Sequence, residues 1–379
     1  MRKARPHSKT RGQVRARVGR DTALRRPDEI RVGISGWRYA RWRGKFYPKG
    51  LAHRRELEYA SRALNSVEIN GSFYSLQRPS SYQRWYSETP SDFIFSVKGA
   101  RFITHMKKLR DVETPLANFF ASGVLALRQK LGPILWQLPP NLGWNEERLN
   151  NFFDLLPRNT LEAAKLGTNH DDNLKARAWT KIDISRPLRY AIEVRHESFM
   201  TPEFFALLRR HNIAFVFADS AGKWPYTEDL TADFIYIRLH GAEELYVSGY
   251  TDRALDRWAE RIEHWRKGKQ PSDASLIGTS RRDLRGRRSA ASLPLDVFVY
   301  FDNDANRCAF RCATIGGGAR SRVNHFVDVI SVPRRLTLGL AQAEVEIVEP
   351  PAQPDETESE LDSLPIDHKG ARTREECVS

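Results

Sequence analysis

Eight short runs of strand-forming residues, spread over residues 31–304, constrain the fold of this chain more than any other feature. Each run is bounded by turn residues and is apolar over most of its length, which is typical of parallel strands covered on both faces. The pattern therefore predicts a parallel sheet. The runs are RVGISG (31–36), SVEIN (66–70), FIFSVKG (93–99), PILWQLP (133–139), RYAIEVR (189–195), IAFVFADS (213–220), FIYIRLHG (234–241) and DVFVYFDND (296–304).

Amphipathic segments between most of these runs predict helices. Asn145, Thr201 and Asp252 stand where N-caps are expected, Pro115 stands at a first helical position, and Gly268 follows the last predicted helix. The predicted helices cover residues 53–64, 115–131, 145–157, 201–212 and 252–268.

Alternating strands and helices, with eight strands in roughly 275 residues, predict an α/β protein with a TIM-type (β/α)8 barrel. A doubly wound open sheet is the alternative, but no Gly-x-Gly-x-x-Gly motif follows the first strand. The segment between the sixth and seventh strands has room for one short helix at most, so we expect an irregular barrel with a short sixth unit.

The net charge of +14 belongs to two segments, because residues 1–31 carry +8 and residues 266–290 carry +6. Such segments can contact nucleic acid nonspecifically, but they say little about the globular body. We predict a disordered basic arm at residues 1–30 and a barrel at 31–306 with a basic loop at 267–292. An atypical, disordered tail is predicted at residues 307–379.

The cysteine content and the lack of long apolar segments predict a cytoplasmic protein with no membrane partner. Cys308, Cys312 and Cys377 all lie near the C-terminus, where they cannot crosslink the barrel, which suits a reducing compartment. No apolar run approaches the roughly 18 residues of a membrane span. The N-terminus lacks the apolar segment of a secretory signal.

Every predicted strand ends in polar residues, and in a (β/α)8 barrel the reactive groups lie at this carboxyl face. Side chains two positions apart on a strand point the same way. Three pairs are therefore expected to point into the barrel mouth while the residues between them pack outward. The pairs are Glu68 with Asn70, Glu193 with Arg195, and Arg238 with His240; the other strand ends supply Lys98, Gln137, Asp219, Asp302 and Asn303.

Lys98, Arg195 and Arg238 favour an anionic ligand, because Arg offers a bidentate contact to carboxylate or phosphate. Aromatic residues of the first two loops, among them Trp37 and Tyr74, can stack on a sugar or a nucleobase or can simply pack the loops onto the barrel. The charged strand ends can equally form a structural ion-pair network.

Several of these segments resemble the YecE-like family, domain of unknown function 72, over about residues 32–304. They are GISGWRYARWRGKFYP, LNSVEINGSFY, FIFSVKGARFITH, ILWQLPP, AIEVRHESF, IRLHG and VYFDND. The resemblance implies a TIM barrel and little chemistry, since that family is defined without an activity. Members usually have a closing helix after the Asp-Asn-Asp stretch, whereas this chain has three glycines at 316–318. We hypothesise a frame shift near residue 306, which a packed amphipathic helix beyond that point would contradict.

The functional prediction is an enzyme of the hydrolase, lyase or isomerase type that acts on an anionic sugar or a nucleotide-like substrate. Glu68 and Glu193 are candidates for an acid and base pair. Alternatively, Glu193, Asp219, His240 and Asp302 hold a divalent metal, which the neighbouring arginines disfavour. His105, just past the third strand, is a further candidate.

Two other function classes remain open at this point. One is a barrel that binds nucleic acid or processes it with a metal, and the other is a binding protein without catalysis. The fold alone does not choose among them, because this barrel hosts many chemistries.

Overall fold

The computed structural model describes residues 29–174, 177–241, 250–267, 269–277 and 295–302. Eight parallel strands form a closed barrel in chain order, and the eighth strand pairs with the first. The predicted TIM-type barrel is therefore confirmed. The strands are β1 Ile30–Ser35, β2 Ser66–Ile69, β3 Ile94–Lys98, β4 Leu131–Gln137, β5 Tyr190–Glu193, β6 Ile213–Ser220, β7 Phe234–Gly241 and β8 Asp296–Phe301.

Helices pack around the barrel: α1 Glu56–Ala63, α2 Gly71–Tyr74, α3 Pro79–Glu88, α4 Glu113–Ala121, α5 Glu146–Leu155, α6 Thr160–Gly167, α7 Pro202–His211 and α8 Asp252–Arg266. Five of these lie at predicted positions, although α4 ends at Ala121 and not near residue 131, whereas α2, α3 and α6 were not predicted. The side chains of Asn145 and Thr201 cap α5 and α7, as predicted. The cap of α8 is Thr251 rather than Asp252, and α4 begins at Glu113, two residues before Pro115.

The barrel interior contains a layer of paired hydroxyl groups beneath the carboxyl face. The hydroxyl of Ser66 is 2.7 Å from that of Tyr300, and the hydroxyl of Ser96 is 2.7 Å from that of Tyr236. These tyrosines lie among apolar side chains inside the barrel. Because strand side chains alternate, the next inward residues are two positions further along. They are Glu68, Lys98, Arg238 and Asp302.

The sixth unit is short, as predicted, since residues 221–233 contain no helix and run directly from β6 to β7. Buried side chains hold this connection in place. The Arg209 guanidinium donates to Asp229, and the hydroxyl of Thr227 donates to the same carboxylate. The connection is therefore ordered by hydrogen bonds rather than by a helix.

Several predictions fall on residues that lie outside those described. They are the basic arm, most of the basic loop, Asn303, Gly268, the three cysteines, the tail and the frame-shift hypothesis, all of which stay predictions. Among the residues described, no helix has the length and apolar character needed to cross a membrane.

Candidate functional site at the carboxyl face

Arg238 lies at the centre of the carboxyl end of the barrel and is fully buried. Its guanidinium donates to Glu68 through Nε (3.1 Å) and one terminal nitrogen (2.8 Å), and to Glu193 through the other (2.7 Å). The terminal nitrogen that donates to Glu68, Nη2, also lies 3.0 Å from the carboxylate of Asp302. One guanidinium thus connects three acids from β2, β5 and the end of β8.

Both carboxylate oxygens of Glu68 are fully engaged. One accepts from Ser35 (3.0 Å) and Arg238, and the other accepts from the Tyr236 hydroxyl (2.6 Å) and Arg238. A carboxylate with two donors on each oxygen has no lone pair free to take a substrate proton. The geometry therefore makes Glu68 a residue that positions Arg238 and does not support the predicted acid and base role.

Glu193 is bound in the same way. Its Oε1 accepts from the Gln137 amide (2.8 Å) and from Arg195 (3.0 Å), while its Oε2 accepts from Arg238. Burial alone raises the pKa of this carboxyl, but Arg238 and Arg195 outweigh it and hold the pKa well below its ordinary value. Glu193 is therefore ionised at neutral pH and is a weak base. The structural ion-pair alternative thus holds for both glutamates.

His240 and Asp302 form a second contact within this centre. His240 is buried, and its Nδ1 lies 2.9 Å from the Asp302 carboxylate. Burial raises the pKa of Asp302, yet Arg238 and the hydrogen bond from His240 hold it well below its ordinary value. Asp302 is 17% exposed at its side chain, so this pair lies nearer the mouth than the two glutamates.

Asp219 faces away from the other predicted catalytic residues. Its neighbour Ala218 lies inside the barrel, so the alternation directs Asp219 toward the helices, where it accepts from the indole of Trp258 on α8 (3.1 Å). Burial raises its pKa, against the lowering effect of Trp258. The set proposed to hold a metal is therefore not brought together. No group of three or more His, Cys, Asp or Glu suited to a metal ion occurs in the part of the chain that the structure describes.

Lys98, the last residue of β3, differs from every acid in this centre because its ammonium has no hydrogen-bond or ion-pair partner among the described residues. The side chain is only 8% exposed and lies 4.3 Å above the ring of Phe73, a residue of the short helix α2. Burial and the charge of Arg238 lower the pKa of Lys98 to about 8, although Glu68 and Asp302 raise it.

The Phe73 contact does not compensate for burying this charge. A cation–π contact stabilises by about 0.5–2 kcal/mol, whereas burial of an unpaired ion costs several kcal/mol even after relaxation. The fold therefore tolerates a destabilising group at a strand end in the barrel mouth. Such groups are characteristic of binding and catalytic sites.

His105 packs edge-to-face against the same aromatic ring, with its ring centre 5.0 Å from that of Phe73. A π-helical turn, Phe102–Met106, carries it, and its Nδ1 is 2.9 Å from the hydroxyl of Thr104. Burial, Lys98, Arg195 and Arg101 lower its pKa to about 4. The imidazole is therefore neutral at neutral pH in surroundings dominated by positive charge.

Asn70 and Arg195 complete the polar lining predicted from the strand ends. The Asn70 side-chain oxygen is buried without a donor in the described part of the chain, and Asn70 follows Ile69, which pairs with Val97 beside Lys98. The Arg195 guanidinium stacks 4.6 Å above the ring of Trp224. A buried acceptor and a stacked guanidinium are groups that a polar ligand can engage.

The two aromatic candidates lie in different surroundings. Trp37 is buried and packs edge-on against Trp85 of α3 (5.2 Å), so it joins the first loop to the helix layer. Tyr74 is 70% exposed and packs against Phe73. The packing alternative therefore describes Trp37, while Tyr74 remains accessible.

Sequence reasoning did not single out Tyr236, Trp224 or the role of Phe73 beneath Lys98. The period of two contained a signal for Tyr236, since it precedes Arg238 by two positions and so faces the same interior. Phe73 and Trp224 lie on connections, where strand periodicity gives no direction.

The fold and this site define a TIM-barrel protein with a polar, partly unpaired centre at the carboxyl ends of its strands. The family model described as "Protein of unknown function DUF72" matches residues 31–277. The chain therefore belongs to the DUF72 family, and the resemblance to YecE-like proteins is confirmed.

Curated relatives carry the same family relationship but no stated activity. The chain is 31% identical to the UPF0759 protein YecE of Escherichia coli (strain K12) over 129 residues, which are 34% of this chain and 44% of that protein. It is 28% identical to the UPF0759 protein YunF of Bacillus subtilis (strain 168) over 116 residues, 29% of this chain and 40% of that protein. Each match spans less than half of the relative's length.

Solved structures of the family share the barrel. A DUF72 family protein from Thermotoga maritima MSB8 superposes with a TM-score of 0.52 at 22% identity, covering 74% of this chain and 95% of that one. One from Enterococcus faecalis V583 gives 0.53 at 15% identity, covering 80% and 96%. At these identities the likeness shows the fold alone.

Proposed function

We propose that this protein is a cytoplasmic enzyme of the hydrolase, lyase or isomerase type that acts on a small anionic substrate, sugar-like or nucleotide-like, at the carboxyl face of the barrel. The observation that carries the proposal is the buried ammonium of Lys98, which no described residue pairs. The cytoplasmic location is supported by the absence of cysteines before Cys308.

The balance of charge around Lys98 supports an anionic substrate. The acids of the centre are already bound to Arg238, so they are not available to pair with Lys98 at contact distance. Arg195 and Arg101 add further positive charge on the side of His105. A carboxylate or phosphate placed beside Lys98 would offset the cost of its burial, and its binding would be strengthened by the low local dielectric.

The neutral imidazole of His105 supports a reaction in addition to binding. A neutral histidine beside a bound anion can accept a proton from the substrate and return it, which is the general acid–base step common to the three reaction types. The Asn70 oxygen offers an acceptor for a substrate hydroxyl. In this arrangement Arg238 and its three acids fix the carboxyl ends of the strands in place and do not exchange protons with the substrate.

Binding is tested by calorimetry with glucose 6-phosphate, galacturonate and AMP, with uncharged glucose as the comparison. The wild-type protein, Lys98→Met and the control Lys165→Met, which removes an exposed lysine from α6, are compared. We expect at least one anion to bind the wild type and the control equally. Lys98→Met should bind it about tenfold more weakly or worse, the effect of losing about 1.4 kcal/mol from a charge-assisted contact.

Catalysis is tested separately by following each bound anion by proton NMR. Conversion to product by the wild type, lost in His105→Gln with binding retained, would support the enzyme. Binding without conversion for every bound anion would favour the non-catalytic binding protein. Equal binding of anions by the wild type and Lys98→Met would contradict the proposal.

A further inference from the structure

Lys98 is placed as a reactive amine as well as a positive charge. Its side chain stands at the inner face of β3, in the layer above Ser96. The nitrogen is fixed over the Phe73 ring, but no hydrogen bond holds its protons among the residues described. A nitrogen without acceptors keeps its lone pair available once a proton is lost.

Lys130 shows what a buried lysine looks like when it only supports structure. It is 3% exposed, and its ammonium donates to the carbonyl oxygens of Tyr86 and Thr89 and to the Thr89 hydroxyl. Three acceptors match the three donors of an ammonium. Lys98 is also buried, at 8% exposed, but its ammonium has no such acceptors among the residues that the structure describes.

We infer that Lys98 forms a Schiff base with the carbonyl carbon of an anionic aldehyde or ketone, which makes this a lyase or isomerase site. The inference rests on the proposed function, because it identifies the substrate of that same site as a carbonyl compound. Lysine amines in apolar, partly cationic surroundings are the type that carries out this reaction.

The bonds and protons of the step balance. The neutral amine adds to the carbonyl carbon, the C–N bond forms, and the carbonyl π electrons move to oxygen, which takes up a proton. The oxygen takes a second proton, the one that the Lys98 ammonium released at the start, and leaves as water while the nitrogen lone pair forms the C=N bond. An ammonium and a carbonyl thus give a protonated imine and one water molecule. No oxidant or reductant takes part. The protonated imine draws electrons from the adjacent carbon, as bond cleavage or isomerisation beside a carbonyl requires.

Two neighbours are placed to assist these proton movements. His105 packs on the same Phe73 ring and is neutral, so it can accept the amine proton and deliver it to the departing oxygen. The donor-free oxygen of Asn70, the residue that directly follows β2 beside β3, can accept from the hydroxyl of the addition intermediate. The lowered pKa of Lys98 agrees, since about a quarter of the amine is neutral at pH 7.5 when its pKa is about 8.

The test is reductive trapping with a matched pair of aldehydes, glyceraldehyde 3-phosphate and uncharged glyceraldehyde. Each is incubated with the protein and sodium borohydride, and the adduct is located by peptide mass mapping with and without inorganic phosphate. Lys130 is the internal control for burial. Lys98→Arg retains the charge without a usable amine, and its thermal unfolding verifies that it is folded.

We expect the phosphorylated aldehyde to modify Lys98 at least about tenfold faster than other lysines, because a lowered pKa increases the neutral fraction more than it reduces nucleophilicity. Inorganic phosphate should suppress this adduct, and Lys98→Arg should lack it. Equal trapping of both aldehydes without suppression would support the Schiff base but contradict the anionic substrate. If phosphate binding requires a cation at residue 98 but no adduct forms there, the Schiff base would be overturned and the proposed function would stand. If there were neither an adduct at Lys98 nor phosphate binding that requires a cation at residue 98, the Schiff base and the proposed function would both be overturned.

Discussion

The two ends of the barrel each bury a lysine, and they treat it in opposite ways. Lys130 precedes β4 at the amino end, where backbone carbonyls and a hydroxyl accept all three of its protons. Lys98 ends β3 at the carboxyl end, where its ammonium lies 4.3 Å from the centre of the Phe73 ring. The same residue type is a structural anchor at one end and, within the described part of the chain, a charge without a partner at the other.

This difference assigns stability to one end of the barrel and function to the other. At the amino end the buried charge of Lys130 has hydrogen-bond partners, and Arg189 and Asp296 form an ion pair there at 2.6 Å. The carboxyl end completes the partners of Arg238 and leaves Lys98 for something outside the described residues. In (β/α)8 barrels the carboxyl face carries the active site and the opposite face contributes stability.

The largest expected effect comes from Arg238→Met. Removing the guanidinium leaves Glu68, Glu193 and Asp302 buried without their shared cation, which should lower the free energy of unfolding by about 3–5 kcal/mol or prevent folding. Urea unfolding followed by circular dichroism measures it. The control Arg55→Met removes an exposed arginine from a surface pair and should change little. Wild-type stability in Arg238→Met would show that this centre is not structural.

Lys130→Met should destabilise the protein less. It leaves two carbonyls, one of them fully buried, and one buried hydroxyl without their donor, at a cost of about 1–3 kcal/mol. The same unfolding measurement applies. A variant as stable as the wild type would show that the hydrogen bonds of Lys130 do not stabilise the fold, which would contradict the structural role assigned to this lysine.

Lys98→Met should stabilise the protein, in contrast to Lys130→Met. We expect it to raise the free energy of unfolding by about 1–3 kcal/mol at pH 7, because it removes a buried charge that has no partner among the described residues. The folded-state pKa of Lys98 is about 8 against 10.5 for the ordinary side chain. The unfolded chain therefore binds more protons between these values, so wild-type stability should rise across pH 8–10.5 relative to the variant. A constant difference across that range would contradict this assignment.

The smallest expected effect is on His105. Its pKa is about 4, partly because Lys98 and Arg195 lie nearby, so an anion bound between these charges should raise it. Proton NMR of the imidazole in increasing inorganic phosphate measures the change. The pKa should also rise in Lys98→Met without phosphate. No response to either would place the anion elsewhere.

Strand periodicity predicted most of the fold and much of the site. A run of apolar residues with a polar exit fixes both a parallel strand and the inward direction of alternate side chains, which is why Glu68, Glu193, Arg238 and His240 were correctly expected to face one centre. Asp219 was misplaced because its own strand alternates the other way, with Ala218 facing inward.

The division of partners within the centre could not be predicted from the sequence. Three acids and three cations can pair in many ways, and the distances that decide among them depend on the curvature of the closed barrel. The sequence therefore favoured Glu68 and Glu193 as proton carriers. The structure binds both to Arg238 and leaves Lys98 without a partner among the described residues.

The pKa of the Lys98 amine is the most direct test of the account. Competitive acetylation of the native protein with a trace of acetic anhydride, followed by peptide mapping from pH 6 to 11, gives the titration of each lysine. We expect Lys98 to titrate near pH 8 and to be shifted upward by phosphate, while Lys130 stays slow to react throughout. A Lys98 amine that titrates above pH 10 and ignores phosphate would mean that its charge is already paired, and would contradict the account.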